Sequence, residues 1–173
     1  MILLLQYTLI FASVLILVAL GGCFSEHSGV VNIGLEGIMV MGALGGALMM
    51  KYLPATMPIP LVILLVILGS VIIGMIFSLF LGVAAIHFNA DQTLVGTALN
   101  LLGPAAAVVI VRAINMSESI DNVSSTVAYK EAKRAFLVNI GKFEFSWFML
   151  FALLILVASY IILYKTRFGL RLM

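Results

Sequence analysis

Long unbroken apolar runs, parted by short polar stretches, dominate this chain. Five stand out, over about 2–21, 30–50, 60–86, 92–113 and 144–164. Each approaches or exceeds the roughly 20 apolar residues that a helix needs to cross a bilayer. A barrel would need apolar and polar residues in alternation, and these runs are continuous. The 60–86 run is long enough to tilt or to extend beyond the bilayer. The connections at 22–29, 51–59 and 87–91 are short, and Pro54, Pro58 and Pro60 break the middle one. The pattern predicts an all-α polytopic membrane protein of about five transmembrane helices, with 1–173 as a single transmembrane domain.

Residues 114–143 depart from this pattern. Asn115, Ser117, Glu118, Ser119, Asp121, Asn122, Ser124 and Ser125 make a polar run. Tyr129 to Phe136 then reads as a short amphipathic helix, with an apolar edge at Ala132, Ala135 and Phe136. The segment is expected to be a connecting loop, with a lid or partner-docking role as the alternative that no single residue supports. The Asn115 and Asn122 sequons are taken as chance.

Composition agrees with a membrane class. The chain is 64% hydrophobic and 9% charged, which no soluble globular domain resembles. Its net charge of +2 comes with no Lys/Arg cluster, so no nucleic-acid partner is expected. The single Cys23 reads as a small apolar filler near a helix end. The first run lacks a basic flank and the chain stays apolar after it, so it reads as a retained helix rather than a signal peptide. His27 and His87 stand in short connections, outside any metal-binding or catalytic constellation. Gly141-Lys142 lacks the rest of a phosphate loop. The chain is thus expected to be no enzyme, with no metal, no cofactor and no ATP site of that kind.

A few residues inside the runs can carry function. Asn32 and Glu36 lie four apart and would share a helix face. A carboxylate there is costly and needs a partner, water or a proton, so Glu36 either serves conduction or gating or fixes the helix end. Gly42 and Gly46 form a GxxxG pair, and Ser70, Gly74, Ser78 and Gly82 repeat every four residues. Both stripes read as helix-packing surfaces. Thr93, Thr97 and Asn100 fall on one face of the fourth run, before Gly103 and Pro104, where proline is expected to kink the helix. A solute path and plain helix–helix hydrogen bonding both fit Thr97 and Asn100. Asp91 is placed to cap that helix. Trp147, Tyr160 and Tyr164 read as interfacial anchors.

Several segments together resemble a known family. Ser25-Glu-His-Ser-Gly-Val-Val-Asn-Ile-Gly-Leu-Glu-Gly37 is similar to a signature of permease subunits of bacterial ABC importers, in the nucleoside and simple-sugar branch of the branched-chain amino-acid permease superfamily. The stretch Phe88-Asn-Ala-Asp-Gln-Thr-Leu-Val-Gly-Thr-Ala-Leu-Asn100 and the long loop after it resemble that branch too. Tyr164 to Arg171 looks like the start of its cytoplasmic coupling loop. The resemblance implies a partial ABC importer permease fold in the bacterial inner (plasma) membrane. It implies a second permease subunit, identical or not, cytoplasmic ATPase subunits and an extracytoplasmic substrate-binding lipoprotein. Asn32, Glu36, Thr97 and Asn100 would then lie near the translocation path. Thr166, Arg167, Phe168, Gly169 and Arg171, within 165–173, would begin the ATPase-docking segment.

The resemblance also sets an orientation. It puts the C-terminus in the cytoplasm and the N-terminus and 114–143 outside. Charge bias alone reverses this, since Lys51, Arg112, Lys130, Lys133, Arg134 and Lys142 would face outward, against Lys165, Arg167 and Arg171. His27 stands where the family has arginine, so a titratable group replaces a fixed cation. The family continues past this point with further spans. The chain is therefore expected to be the N-terminal half of a longer permease, as a fragment or through a shortened gene. The reading is a permease subunit of an ATP-driven importer of nucleosides or simple sugars. Two alternatives stay open, a secondary transporter using Glu36 as proton carrier and a non-transporting membrane scaffold.

Overall fold

A computed structural model describes residues 2–54, 56–119, 122, 124–127, 137–140, 143–167 and 169; for 2, 3, 137–140 and 143–147 the backbone alone is described. Among the described residues there are five helices: α1 (Ile2–His27), α2 (Leu35–Tyr52), α3 (Ile59–Ile86), α4 (Gln92–Glu118) and α5 (Trp147–Lys165). Among the described residues, α1, α3, α4 and α5 are long and apolar enough to cross a membrane. α2 is shorter, at 18 residues, and carries Glu36 and Lys51 at its two ends. Leu94, Leu101 and Phe11 are 71%, 74% and 67% exposed. Apolar surface of that extent suits lipid and not water. The chain is a polytopic helical membrane protein.

The helix ends differ from the apolar runs, for local reasons. α1 continues past the expected end to His27. It closes in a Schellman motif: Val30 N donates to Ser25 O, Gly29 N donates to Glu26 O, and Gly29 sits at φ 82°. The Ser25 hydroxyl adds a bond to Val30 O at 2.8 Å. The second helix therefore cannot start at residue 30. Asn32 lies in the connection and α2 begins at Leu35, so Asn32 and Glu36 do not share a helix face. α3 starts after Pro58, with Pro60 in its first turn, where a missing N–H costs nothing. Asp91 caps α4, its carboxylate accepting from Thr93 N at 2.8 Å and Leu94 N at 3.4 Å. α4 runs on through Pro104 to Glu118, so residues 114–118 are helix and not loop.

The expected loop also gives way to a hairpin. Strands β1 (Leu137–Ile140) and β2 (Phe143–Ser146) pair antiparallel, Leu137 opposite Ser146 and Ile140 opposite Phe143. The fifth helix thus starts at Trp147, later than its apolar run suggests. The amphipathic helix expected over Tyr129–Phe136 lies outside the described residues.

The chain forms two compact units, residues 1–31 with 136–173, and residues 32–135. In the first, α1 packs on α5. The His27 ring meets Tyr164 edge-on, with centroids 6.4 Å apart. Both rings stand in the last turn of their helices, so α1 and α5 run parallel.

In the second unit, α2 packs against both α3 and α4. Glycine makes the close approach possible. A Cβ at Gly45 would lie 2.7 Å from Gly69 O, and one at Gly103 would lie 2.7 Å from Gly37 Cα. Gly42 faces Ser70 and Gly74, while Gly46 meets the Ser70 hydroxyl. The order of these contacts makes α3 antiparallel to α2, and α4 parallel to it. Backbones this close gain van der Waals contact along the whole seam, the main attraction between helices in lipid.

Candidate functional site

The polar residues singled out from the sequence gather at the N-terminal ends of α2 and α4, within the 32–135 unit. Their local structure follows from one gap. Gly34 is the N-cap of α2 and has no side chain to accept an orphan N–H. Asn100 of α4 supplies the acceptor instead. Its Oδ1 takes Gly37 N–H at 2.9 Å, and its Nδ2 donates to Ile33 O at 2.8 Å. Asn100 is a helix cap delivered from a neighbouring helix. Gly96, one turn earlier, leaves the room, since a Cβ there would stand 2.9 Å from Gly34 N.

The other three residues are placed differently. Asn32 is half-buried, and its Oδ1 is fully buried with no hydrogen-bond partner among the described residues. Glu36 is exposed in the first turn of α2 and makes no ion pair among the described residues. A carboxylate there complements the positive helix end. Thr97 is exposed and returns its hydroxyl to Thr93 O, within its own helix. So this end of the unit holds one committed amide, one unpaired buried carbonyl oxygen and two outward polar groups.

At the opposite ends of α2 and α4 stands a second polar group that the sequence did not reveal. Lys51 is almost buried, at 9% side-chain exposure, and its Nζ lies 2.9 Å from Glu118. The same Nζ reaches Asn115 Oδ1 at 3.4 Å. Asn115 is 3% exposed. The helical spacing of Asn115 and Glu118 was available in the sequence. Their meeting with Lys51 depends on the parallel pairing of α2 with α4, which was not.

Of the residues expected to pack, Gly42, Gly46 and Gly74 lie in the α2–α3 seam. Ser78 bonds to Met75 O in its own helix, and Gly82 has nothing within 4 Å of where a Cβ would sit. In the expected coupling segment, Thr166 returns its hydroxyl to Ile162 O and Arg167 is exposed. Gly169 is buried so close to Leu163 O that a side chain would overlap it. Phe168 and Arg171 lie outside the described residues. Among the described residues, no cluster of His, Cys, Asp and Glu is placed to hold a metal ion.

Residues 4–173 match the family described as branched-chain amino acid transport system / permease component. The chain belongs to this family. It is 40% identical, over 95% of its length, to the Guanosine ABC transporter permease protein NupQ of Bacillus subtilis, and covers 52% of that relative. It is 36% identical, again over 95% of its length, to the Nucleoside ABC transporter permease protein NupC of Lactococcus lactis, and covers 52% of it. A shorter match, 54% identical over 25% of the chain and 13% of the relative, is to the Putative glucose ABC transporter permease protein TsgC13 of Haloferax volcanii. The chain spans about half the length of the first two relatives. No solved structure matches it. The permease component is thus a multi-pass membrane protein of a transport family.

Proposed function

We propose that the chain supplies part of the membrane path of an ATP-driven importer of nucleosides. The observation that carries this is its 40% identity, along nearly its whole length, to a guanosine ABC transporter permease. Cytoplasmic ATPase subunits drive the path, a second permease subunit completes it, and an extracytoplasmic binding protein brings the solute. Simple sugars are the second solute class, favoured by the short match to a putative glucose permease.

In this reading each residue has a part. Glu36 and Thr97 are the exposed polar groups at one end of the α2–α4 seam, with Asn32 beside them in the chain. They face solute or the water that escorts it. Asn100 acts through the backbone it holds, keeping the start of α2 fixed on α4. Arg167, exposed just past α5, begins the segment on which the ATPase pushes, with Thr166, Phe168, Gly169 and Arg171.

Parity supports five crossings. Because α1 and α5 run parallel, an odd number of crossings separates them. The segments between them are α2, α3 and α4, so α2 crosses as well, although it is the shortest and carries two charges. At 1.5 Å per residue its 18 residues reach about 27 Å, close to the hydrocarbon thickness. Neighbours on two sides shield it from lipid. With the segment after α5 taken as the one that meets the ATPase, the C-terminal end of α5 is cytoplasmic and the Lys51–Glu118 pair is outside.

Uptake of labelled guanosine by cells or vesicles carrying the assembled importer tests the reading. Uptake should stop when ATP is depleted, survive a protonophore, and be competed by other nucleosides more strongly than by sugars. Uptake that survives ATP depletion but collapses with the proton gradient would overturn it in favour of Glu36 as a proton carrier.

A further inference from the structure

The group at the C-terminal ends of α2 and α4 does more than pair two charges. Asn115, in the last turn of α4, is 3% exposed. Its Nδ2 donates twice, to Ser124 O at 2.8 Å and Thr126 O at 3.0 Å. Its Oδ1 accepts from Lys51 at 3.4 Å. One buried side chain therefore joins α2, α4 and the chain that follows α4.

The segment it holds is itself preorganised. Asn122 Oδ1 accepts from Ser124 N at 3.3 Å, Ser124 Oγ accepts from Thr126 N at 3.1 Å, and the Ser124 and Thr126 hydroxyls are 2.6 Å apart. Such turns form readily in Ser- and Asn-rich sequence. Left alone, the turn has no reason to rest at any one place. Two donor hydrogens from one buried amide give it that place, and they cost little entropy because Asn115 is already fixed by helix and burial.

The ion pair is a weaker anchor. Glu118 is 53% exposed, so water and salt screen its attraction for Lys51. Lys51 keeps Asn115 oriented, since an amide whose oxygen is claimed by an ammonium must present its N–H groups to the other side.

We propose that Asn115 is a positioning residue: through its two donor hydrogens it straps the carbonyls of Ser124 and Thr126 to the C-terminal end of α4, and so sets the surface that meets the solute-delivering protein. This rests on the importer reading for its direction, because that reading places these ends outside. The strap is local to the 32–135 unit and holds whichever solute passes.

Three substitutions separate the strap from the ion pair. Asn115→Asp keeps acceptors for Lys51 but has no hydrogen to give Ser124 O and Thr126 O. Asn115→Ala removes both functions. Glu118→Gln removes the charge pair and leaves the strap. In a Cys23→Ser background, a spin label at Ser125→Cys reports the segment directly in bilayers. The label should be immobilised in the parent and in Glu118→Gln, and lose that immobilised component in Asn115→Asp and Asn115→Ala. In the assembled importer, Asn115→Asp should raise the KM for the delivered solute with the maximal rate retained, whereas a folding defect would lower the maximal rate with the amount of protein. A label equally immobile in Asn115→Asp, or an unchanged KM once the label is free, would overturn the proposal. Loss of immobilisation in Glu118→Gln as well would also overturn it, since the pair would then be the anchor. Absence of any ATP-driven uptake by the unsubstituted importer would instead remove the importer reading, and the label alone would decide whether the strap exists.

Discussion

Asn100 shows how one side chain can finish another helix. Its amide takes an orphan N–H from the first turn of α2 and returns a hydrogen to Ile33 O. Asn100→Ala leaves both backbone groups without partners in a half-buried place. The loss should be about 1–3 kcal/mol, by the usual cost of an unsatisfied buried polar group. Asn100→Asp keeps the acceptor for Gly37 N–H and gives up the bond to Ile33 O, so it should cost less. Unfolding by increasing detergent denaturant, followed by helicity, ranks the three proteins. Equal stability of Asn100→Ala and the parent would remove the capping role. At the same scale, Arg167→Glu in the assembled importer should abolish uptake with normal membrane insertion, measured by transport beside membrane fractionation. Unchanged uptake would contradict the coupling role. The side chain of Asn100 was visible in the sequence as one of a polar face, but its role was not. Capping across helices depends on which helix lies opposite, and spacing along one helix carries no such information. Lys51 makes the same point: along the sequence it counts only as one charge in the bias between the two sides, and in the fold it is almost buried.

At the scale of elements, apolar runs marked the five described helices, because the demand for about 20 apolar residues is a property of lipid and is written into composition. Their ends were less legible. Residues 30–34 are apolar apart from Asn32, yet Gly29 in the left-handed region and the Schellman bonds after α1 exclude helix there. The hairpin was hidden for a different reason. Phe143-Glu-Phe-Ser146 alternates for only four residues beside a long apolar run, too short to stand out from it. The glycine stripes divide by what they face. Gly37 and Gly103 meet backbone, which cannot yield, whereas Gly82 faces open space. Gly103→Ala should therefore destabilise the 32–135 unit by about 1–3 kcal/mol or more, the range for overpacking. Gly82→Ala should be neutral or stabilising by up to about 1 kcal/mol, from helix propensity alone. The detergent unfolding assay distinguishes them, and equal effects would place the α2–α4 seam elsewhere.

For the whole molecule, the account turns on threading. Among the described residues, four helices are long and apolar enough to cross, and the proposed threading adds α2 as a fifth crossing because α1 and α5 run parallel. The proposed threading has the Lys51–Asn115–Glu118 group facing outside, to receive solute, and the Arg167 segment facing the cytoplasm, to meet an ATPase. Sided labelling reads this directly. In intact cells with Cys23→Ser, a membrane-impermeant thiol reagent should modify Ser125→Cys and leave Arg167→Cys untouched until the cells are opened. Labelling of both positions from outside, or of Arg167→Cys alone, would contradict the account.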